Sequence, residues 1–240
     1  MRNVTILLFL ILNNYLYSQL TEKDNRFTIK VDLYKNQDSF YEKKNWGNHH
    51  YLILEKTKEK NYEERKEYFN NSPQIISFHS VYDSEIDKKF YGGYKAWGMT
   101  YQNHDYFNML YAPDFQLAYL FVKYDVMGKN YNLIFIKRNT YLENRIGGSH
   151  PTLGLTGVLM SESTKWGTNF VVDGTDEKIR IIAVDLNDQK EIMHQQKGAL
   201  GKLLHHKDLN KIAKKYNIQI DKERMTFNEV IQFFEIINQQ

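Results

Sequence analysis

The stretch Leu117 to Arg138, LAYLFVKYDVMGKNYNLIFIKR, constrains the fold more than any other. Two runs of β-branched and aromatic residues flank Gly128-Lys129. A glycine first in a two-residue loop is the mark of a type II′ turn, which needs positive φ there. Counting outward pairs Val126 with Tyr131, Tyr124 with Leu133, Val122 with Phe135 and Leu120 with Lys137, an almost wholly apolar face. The other face sets Asp125 against Asn132, Lys123 against Ile134, Phe121 against Ile136 and Tyr119 against Arg138, and it is mixed. Such a hairpin belongs near the middle of a mostly antiparallel sheet. A slip of one residue would exchange the faces, so the pattern predicts a firm register.

The first residues read as a processing signal. Arg2 supplies the basic start, Val4 to Leu12 is an apolar run of signal length, and cleavage is expected after Ser18 or Gln19. A spanning helix needs about 20 apolar residues, so this run is too short to be one. The alternative is an uncleaved N-terminal anchor. No cysteine follows the run, so it is not a lipoprotein signal. The remaining chain is expected to be secreted or periplasmic, with no transmembrane segment after cleavage. With no cysteine at all, neither disulfides nor thiolate chemistry is available to it. Without Arg2 the basic residues number 31 against 29 acidic, a balance that argues for neither nucleic acid nor an anionic membrane. The 18 tyrosines invite a reading as a binding surface, but an AT-rich codon bias explains Tyr, Asn, Lys, Ile and Phe together.

The rest of the chain reads as one α+β domain over 19–240. Phe27, Ile29, Val31 and Leu33 alternate along a half-buried strand, and Tyr51 to Glu55 and Gln74 to Tyr82 are further strands. Asn36 to Asn48 reads as a polar loop, and Lys56 to Asn71 as a solvated helix stopped by Pro73. Asp105 to Tyr111 reads as a short helix ended by Pro113. A meander over 155–186 follows, with strands at 155–162, 168–172 and 178–186 and a turn at Asp173-Gly174. Residues 187–240 are expected to be helical and to cover the sheet. Glu191 to Leu204 is the weakest of these helices, because Gly198 and Gly201 each cost about 1 kcal/mol relative to alanine. Asp208 caps a second helix carrying Leu209, Ile212, Ala213 and Tyr216. Thr226 with Glu229 is a capping box for a third, with Met225 and Val230 as its hydrophobic staple. The expected class is therefore α+β, a predominantly antiparallel sheet covered by C-terminal helices.

Chemistry is sparse. The histidines show no metal-binding spacing, so the expectation is no metal and no cofactor; His49, His104 and His150 brought together by the fold are the one alternative. Gly147-Gly148-Ser149-His150 could bring backbone N–H groups and a base to an oxyanion. However, Pro151 stands where a nucleophile elbow needs glycine, and a strand follows instead of a helix. A hydrolase reading would take Ser149 and His150 with His104 and Asp105 as its catalytic candidates. Trp46, Trp97 and Trp166 each precede a glycine, which suits either a flat ligand face at a turn or a lid folded over the core. The carboxylate pairs Asp83 with Glu85 and Asp173 with Asp176 sit in expected turns, where Asp mostly serves its own backbone. The leading functional expectation is an exported binding module for a small molecule, glycan or protein, with no nucleic acid. A hydrolase built around Gly147–Pro151 is the alternative, and an inhibitor or immunity-type partner with a flat patch is a third.

Overall fold

Apolar residues recur at every second position from Ile29 to Leu33. In the computed structural model of the protein, Asn25–Tyr34 is a strand, β1, that buries Ile29, Val31 and Leu33 on one side. The structure describes residues 25–57, 62–78, 81–84, 88–115, 120–137, 168–193, 196–220 and 224–240. The signal-like segment 1–18, the loop 146–151, the first meander strand at 155–162 and Trp166 lie outside them.

β1 is central to an eight-stranded antiparallel sheet. Its residues 25–31 pair with β2 (Tyr51–Thr57), and its residues 32–34 pair with β6 (Gly98–Tyr101). Beyond β2 come β4 (Val81–Asp83) and β5 (Lys88–Lys89). Beyond β6 come β7 (His104–Asn108), β8 (Leu120–Lys123) and β3 (Ile75–Ser77). β3 and β4 therefore stand near opposite ends of the sheet, yet only residues 78–80 separate them in the chain. Four Cα–Cα steps reach about 14 Å at most, so the sheet curls until its ends nearly meet. Inside the curl lie Ile29, Val31, Leu33, Ile53, Met99 and Phe121, and helix α2 (Tyr62–Asn70) adds Phe69. Helix α1 (Gln37–Tyr41) follows β1 and is capped by Asn36, whose Oδ1 accepts from Ser39 N–H at 2.9 Å.

The second sheet has β11 (Lys178–Ile192) at its centre. β9 (Tyr131–Lys137) lies along one edge, while β12 (Gln196–Leu203) and β10 (Asn169–Val171) share the other. Alternation assigns its faces. Ile134, Ile136, Ile182 and Val184 pack on the outside of the curled sheet with Tyr34, Trp97, Phe107 and Val122. Leu133, Ile181 and Ala183 face helices α3 (His206–Lys215) and α4 (Phe227–Gln239), which bury Leu209, Ala213, Val230, Phe234 and Ile237. The protein is thus α+β, with antiparallel sheets and two C-terminal helices. No helix among the described residues is long and apolar enough to cross a membrane.

The strands at 120–123 and 131–137 form as the pattern predicts, but they are not a hairpin. β8 spends both edges on β7 and β3, while β9 pairs with β11; a single bridge, Val126 to Leu133, links the two segments. Gly128 does not take the positive φ that a type II′ turn needs. The backbone donors beyond it turn to helix α4, where Asn238 Oδ1 accepts from Asn130 N–H at 3.0 Å and Tyr131 N–H at 2.8 Å. Val122 and its expected neighbour Phe135 part company: Val122 packs between the sheets with Ile134 and Ile136, and Phe135 faces Phe227 of helix α4.

Four further expectations are corrected. Glu191 to Leu204 is not helical: β11 runs to Ile192 and β12 occupies 196–203. Its glycines mark a close approach, since a Cβ at Gly198 would lie 2.8 Å from Trp97 Nε1 and one at Gly201 would lie 2.8 Å from Phe107 Cε1. Asp105 to Tyr111 is not one helix but β7 followed by a 3-10 turn at Met109–Tyr111. Gln74 to Tyr82 is two strands, β3 and β4, divided where the curled sheet passes from one end to the other. Asn36 to Asn48, read as a loop, contains α1 and a 3-10 turn at Trp46–Asn48.

Elsewhere local signals hold. Asn169–Val171 pairs antiparallel with the start of β11 across a turn in which Gly174 has φ 73°. Thr226 Oγ1 accepts from Glu229 N–H, and Glu229 Oε2 accepts from Thr226 N–H, at 3.4 and 2.9 Å. For α3 the N-cap is His205, not Asp208; Asp208 supplies the reciprocal bond, accepting from His205 N–H at 3.2 Å.

Candidate functional site

The second sheet covers only part of the curled sheet's outer face. Along that face of β1, Thr28 and Lys30 are exposed, Asp32 is half-buried and Tyr34 is buried. Tyr34, Gly98, Phe107 and Val122 form one cross-strand row under the second sheet. The next row outward is Asp32, Thr100 and Asp105. Among the described residues the cover ends here, and apolar packing gives way to carboxylates and a hydroxyl.

Each member of this row is held. Thr100 Oγ1 donates to Asp105 Oδ1 at 2.5 Å and lies 3.1 Å from the Tyr34 hydroxyl. Lys43 Nζ reaches both oxygens of Asp105, at 2.7 and 2.8 Å, and sits 4.5 Å from the Phe40 ring centroid and 5.4 Å from that of Tyr34. Asn45 Nδ2 donates to Asp32 Oδ1 at 2.9 Å, and His50 Nδ1 makes a short contact with the same oxygen. That contact leaves His50 Nε2 without a partner among the described residues. Burial pushes the Tyr34 hydroxyl above its ordinary value; the Thr100 bond opposes this, and the charges of Asp32 and Asp105 add to it.

Lys43 owes its position to the end of α1. Lys44 N–H donates to Ser39 C=O at 2.8 Å and Lys43 N–H to Phe40 C=O at 3.2 Å, the pair of bonds of a Schellman ending. Lys43 is the left-handed residue of that ending, with φ 53°, where glycine is usual. A side-chain-bearing residue pays about 1–2 kcal/mol for that conformation. Contacts of the ammonium with Asp105 and the two rings offset part of this.

A second histidine–aspartate pair lies close by in sequence but points elsewhere. His49 Nε2 is 2.5 Å from Asp83 Oδ2 in a largely buried pair. Tyr51, whose hydroxyl is raised to about 12 by burial and by Asp83, stacks obliquely on His49 and donates to Trp46 C=O at 2.6 Å. His49 and His50, both ahead of β2, thus reach different carboxylates, Asp83 and Asp32.

Ser149, His150 and Trp166 lie outside the described residues. His104 is exposed at the start of β7, and the alternation of the strand turns it away from the face that carries Asp105. Asp105 is bound to Thr100 and Lys43, not to a histidine. Trp97 is fully buried and donates through Nε1 to Ala199 C=O at 3.1 Å, which makes it core material and not a ligand face. Trp46 is half-buried, edge-on to Phe90 at 5.1 Å. Glu85 is outside the described residues, while Asp173 and Asp176 line an open concavity of about 360 Å³ with Gly174 and Thr226. Among the described residues no group of three or more His, Asp or Glu is placed to hold a metal.

Asp32, Tyr34, Lys43, Asn45 and Thr100 are the members of the site that sequence reasoning missed. One signal was present. Gln102 and Asn103 both take positive φ, a type I′ turn, and counting outward from them sets Thr100 opposite Asp105. No protein-family model, curated protein or solved structure matches the chain.

Proposed function

We propose that the protein is an exported binding module that takes a small molecule, glycan or protein partner at the polar margin of the curled sheet. One observation carries the reading: Asp32, Thr100 and Asp105 lie in a single cross-strand row where the second sheet stops covering the first. A row of hydrogen-bonding groups at the rim of an aromatic core suits recognition, because each group is already oriented by its neighbours and little ordering is left to do on binding. Export is supported by Arg2, the apolar run Val4 to Leu12 and the small Ser18. N-terminal sequencing of the exported product should find Gln19 or Leu20 first; an intact Met1 on a membrane-bound product would favour an anchor instead.

The test of binding is a ligand-detected NMR screen of small molecules and oligosaccharides, repeated on variants. Thr100→Val and Asp32→Asn should each weaken a true ligand by about tenfold or more, the loss of one to two good hydrogen bonds. Ligands whose affinity both variants leave unchanged would place binding elsewhere.

A hydrolase is the second reading. It is favoured by His50, whose Nδ1 faces the Asp32 carboxylate and whose side chain is partly exposed, as a general base steadied by an acid would be. Turnover of chromogenic esters, phosphoesters or glycosides that disappears in His50→Gln or Ser149→Ala would replace binding with catalysis.

A further inference from the structure

We propose that Asp105, Phe40 and Tyr34 form a site for a primary alkylammonium group, and that Lys43 is its resident occupant. The proposal rests on the reading of this margin as the contact surface and names the chemistry of what it takes. The elements of a cation site are all on one spot. Both oxygens of Asp105 meet the ammonium, at 2.7 and 2.8 Å, and two aromatic faces lie 4.5 and 5.4 Å from it. The carboxylate is aimed by Thr100 Oγ1, and Thr100 in turn lies 3.1 Å from the Tyr34 hydroxyl, so the site does not depend on the lysine for its shape. Asp32 on the same row adds a second negative charge.

The lysine itself is replaceable. It occupies the left-handed position of a helix ending, at φ 53°, where glycine fits better, and its side chain is half-exposed. A long flexible stem anchored at a disfavoured backbone position can swing out without unravelling α1, whose closing bonds come from the backbone N–H groups of residues 43 and 44. An incoming ammonium, on a free amine or on a lysine of a polypeptide partner, makes the same contacts. A tertiary or quaternary ammonium is excluded because two N–H groups must reach the two carboxylate oxygens, and the primary ammonium is the form the resident lysine presents.

The test uses Lys43→Gly, which suits the backbone and empties the site. The variant and the wild-type protein are titrated with n-butylammonium and with N-acetyl-glycyl-lysyl-glycinamide while the amide NMR shifts of Thr100 and Asp105 are followed. Saturable binding to Lys43→Gly about tenfold tighter than to wild type is expected, the factor for a resident group that fills the site nine-tenths of the time. The double variant Lys43→Gly/Asp105→Asn should lose it. Tighter binding of the peptide assigns the site to a partner's lysine, and equal binding assigns it to a free amine. A folded Lys43→Gly with no saturable shift for either probe, or binding that survives Asp105→Asn, overturns the ammonium site. The wider reading of the margin is judged separately, by Thr100→Val and Asp32→Asn against whatever ligand the screen returns.

Discussion

Trp97→Ala is expected to destabilise the protein by about 3–5 kcal/mol, the usual cost of emptying a large aromatic site in a core. Trp97 is fully buried where the two sheets meet, with Phe40 and Phe107 at ring-centroid distances of 5.2 and 5.6 Å. Gly198 on the facing strand leaves the room the indole fills, so nothing opposite can collapse into the space without moving β12. The indole N–H also satisfies Ala199 C=O. Trp97→Phe separates the two contributions, because it keeps most of the volume and loses only the donor. It should cost about 1–3 kcal/mol, the price range of one unsatisfied buried group plus a small void. Urea unfolding followed by far-UV circular dichroism checks both. A loss below 1 kcal/mol for Trp97→Ala would mean that the sheets do not close on this residue.

Gln37→Ala should cost about 2–6 kcal/mol, unusually much for a polar residue on a five-residue helix. β11 and β12 fall out of step between Val184 and Gln189, so the strands cannot complete their own ladder there. Gln37 bridges the gap: its Nε2 donates to Leu186 C=O at 3.0 Å and its Oε1 accepts from Ala199 N–H at 2.6 Å. Both bonds are buried, and removing the side chain strands two backbone groups at about 1–3 kcal/mol each. Gln37→Met preserves bulk and makes neither bond, so it should be nearly as damaging as alanine. If methionine is tolerated and alanine is not, the role is packing. Because Ala199 is served by Gln37 through its N–H and by Trp97 through its C=O, the two substitutions should also be non-additive in a double-mutant cycle.

What could be read from the chain was what local chemistry decides. The capping box at Thr226 and Glu229 specifies the start of α4 within four residues, and the alternation of Ile29, Val31 and Leu33 specifies one face of β1. The hairpin at 117–138 failed because its register rule is local while its outcome is not. Partners for β8 come from residues 75–77 and 104–108, and the donors at Asn130 and Tyr131 are taken by Asn238, more than a hundred residues away. The glycines at 198 and 201 were read for their effect on a helix, when in a strand they mark a surface approached closely by aromatic rings. The candidate site was legible only in part. Thr100 and Asp105 follow from one tight turn, but Asp32 joins them through the register between β1 and β6. Lys43 arrives from a helix ending that a polar stretch did not announce.

Among the described residues, every strand of the curled sheet lies between residues 25 and 123, and every strand of the second sheet between 131 and 203. A chain that emerges from its N-terminus can therefore finish the first sheet before any of the second exists. In that interval Tyr34, Phe40, Trp97, Phe107 and Val122 form an uncovered aromatic face, which the finished molecule hides under β9, β11 and β12. Half-made chains are sticky for this reason. Yield during production should then depend on how quickly the last hundred residues follow the first.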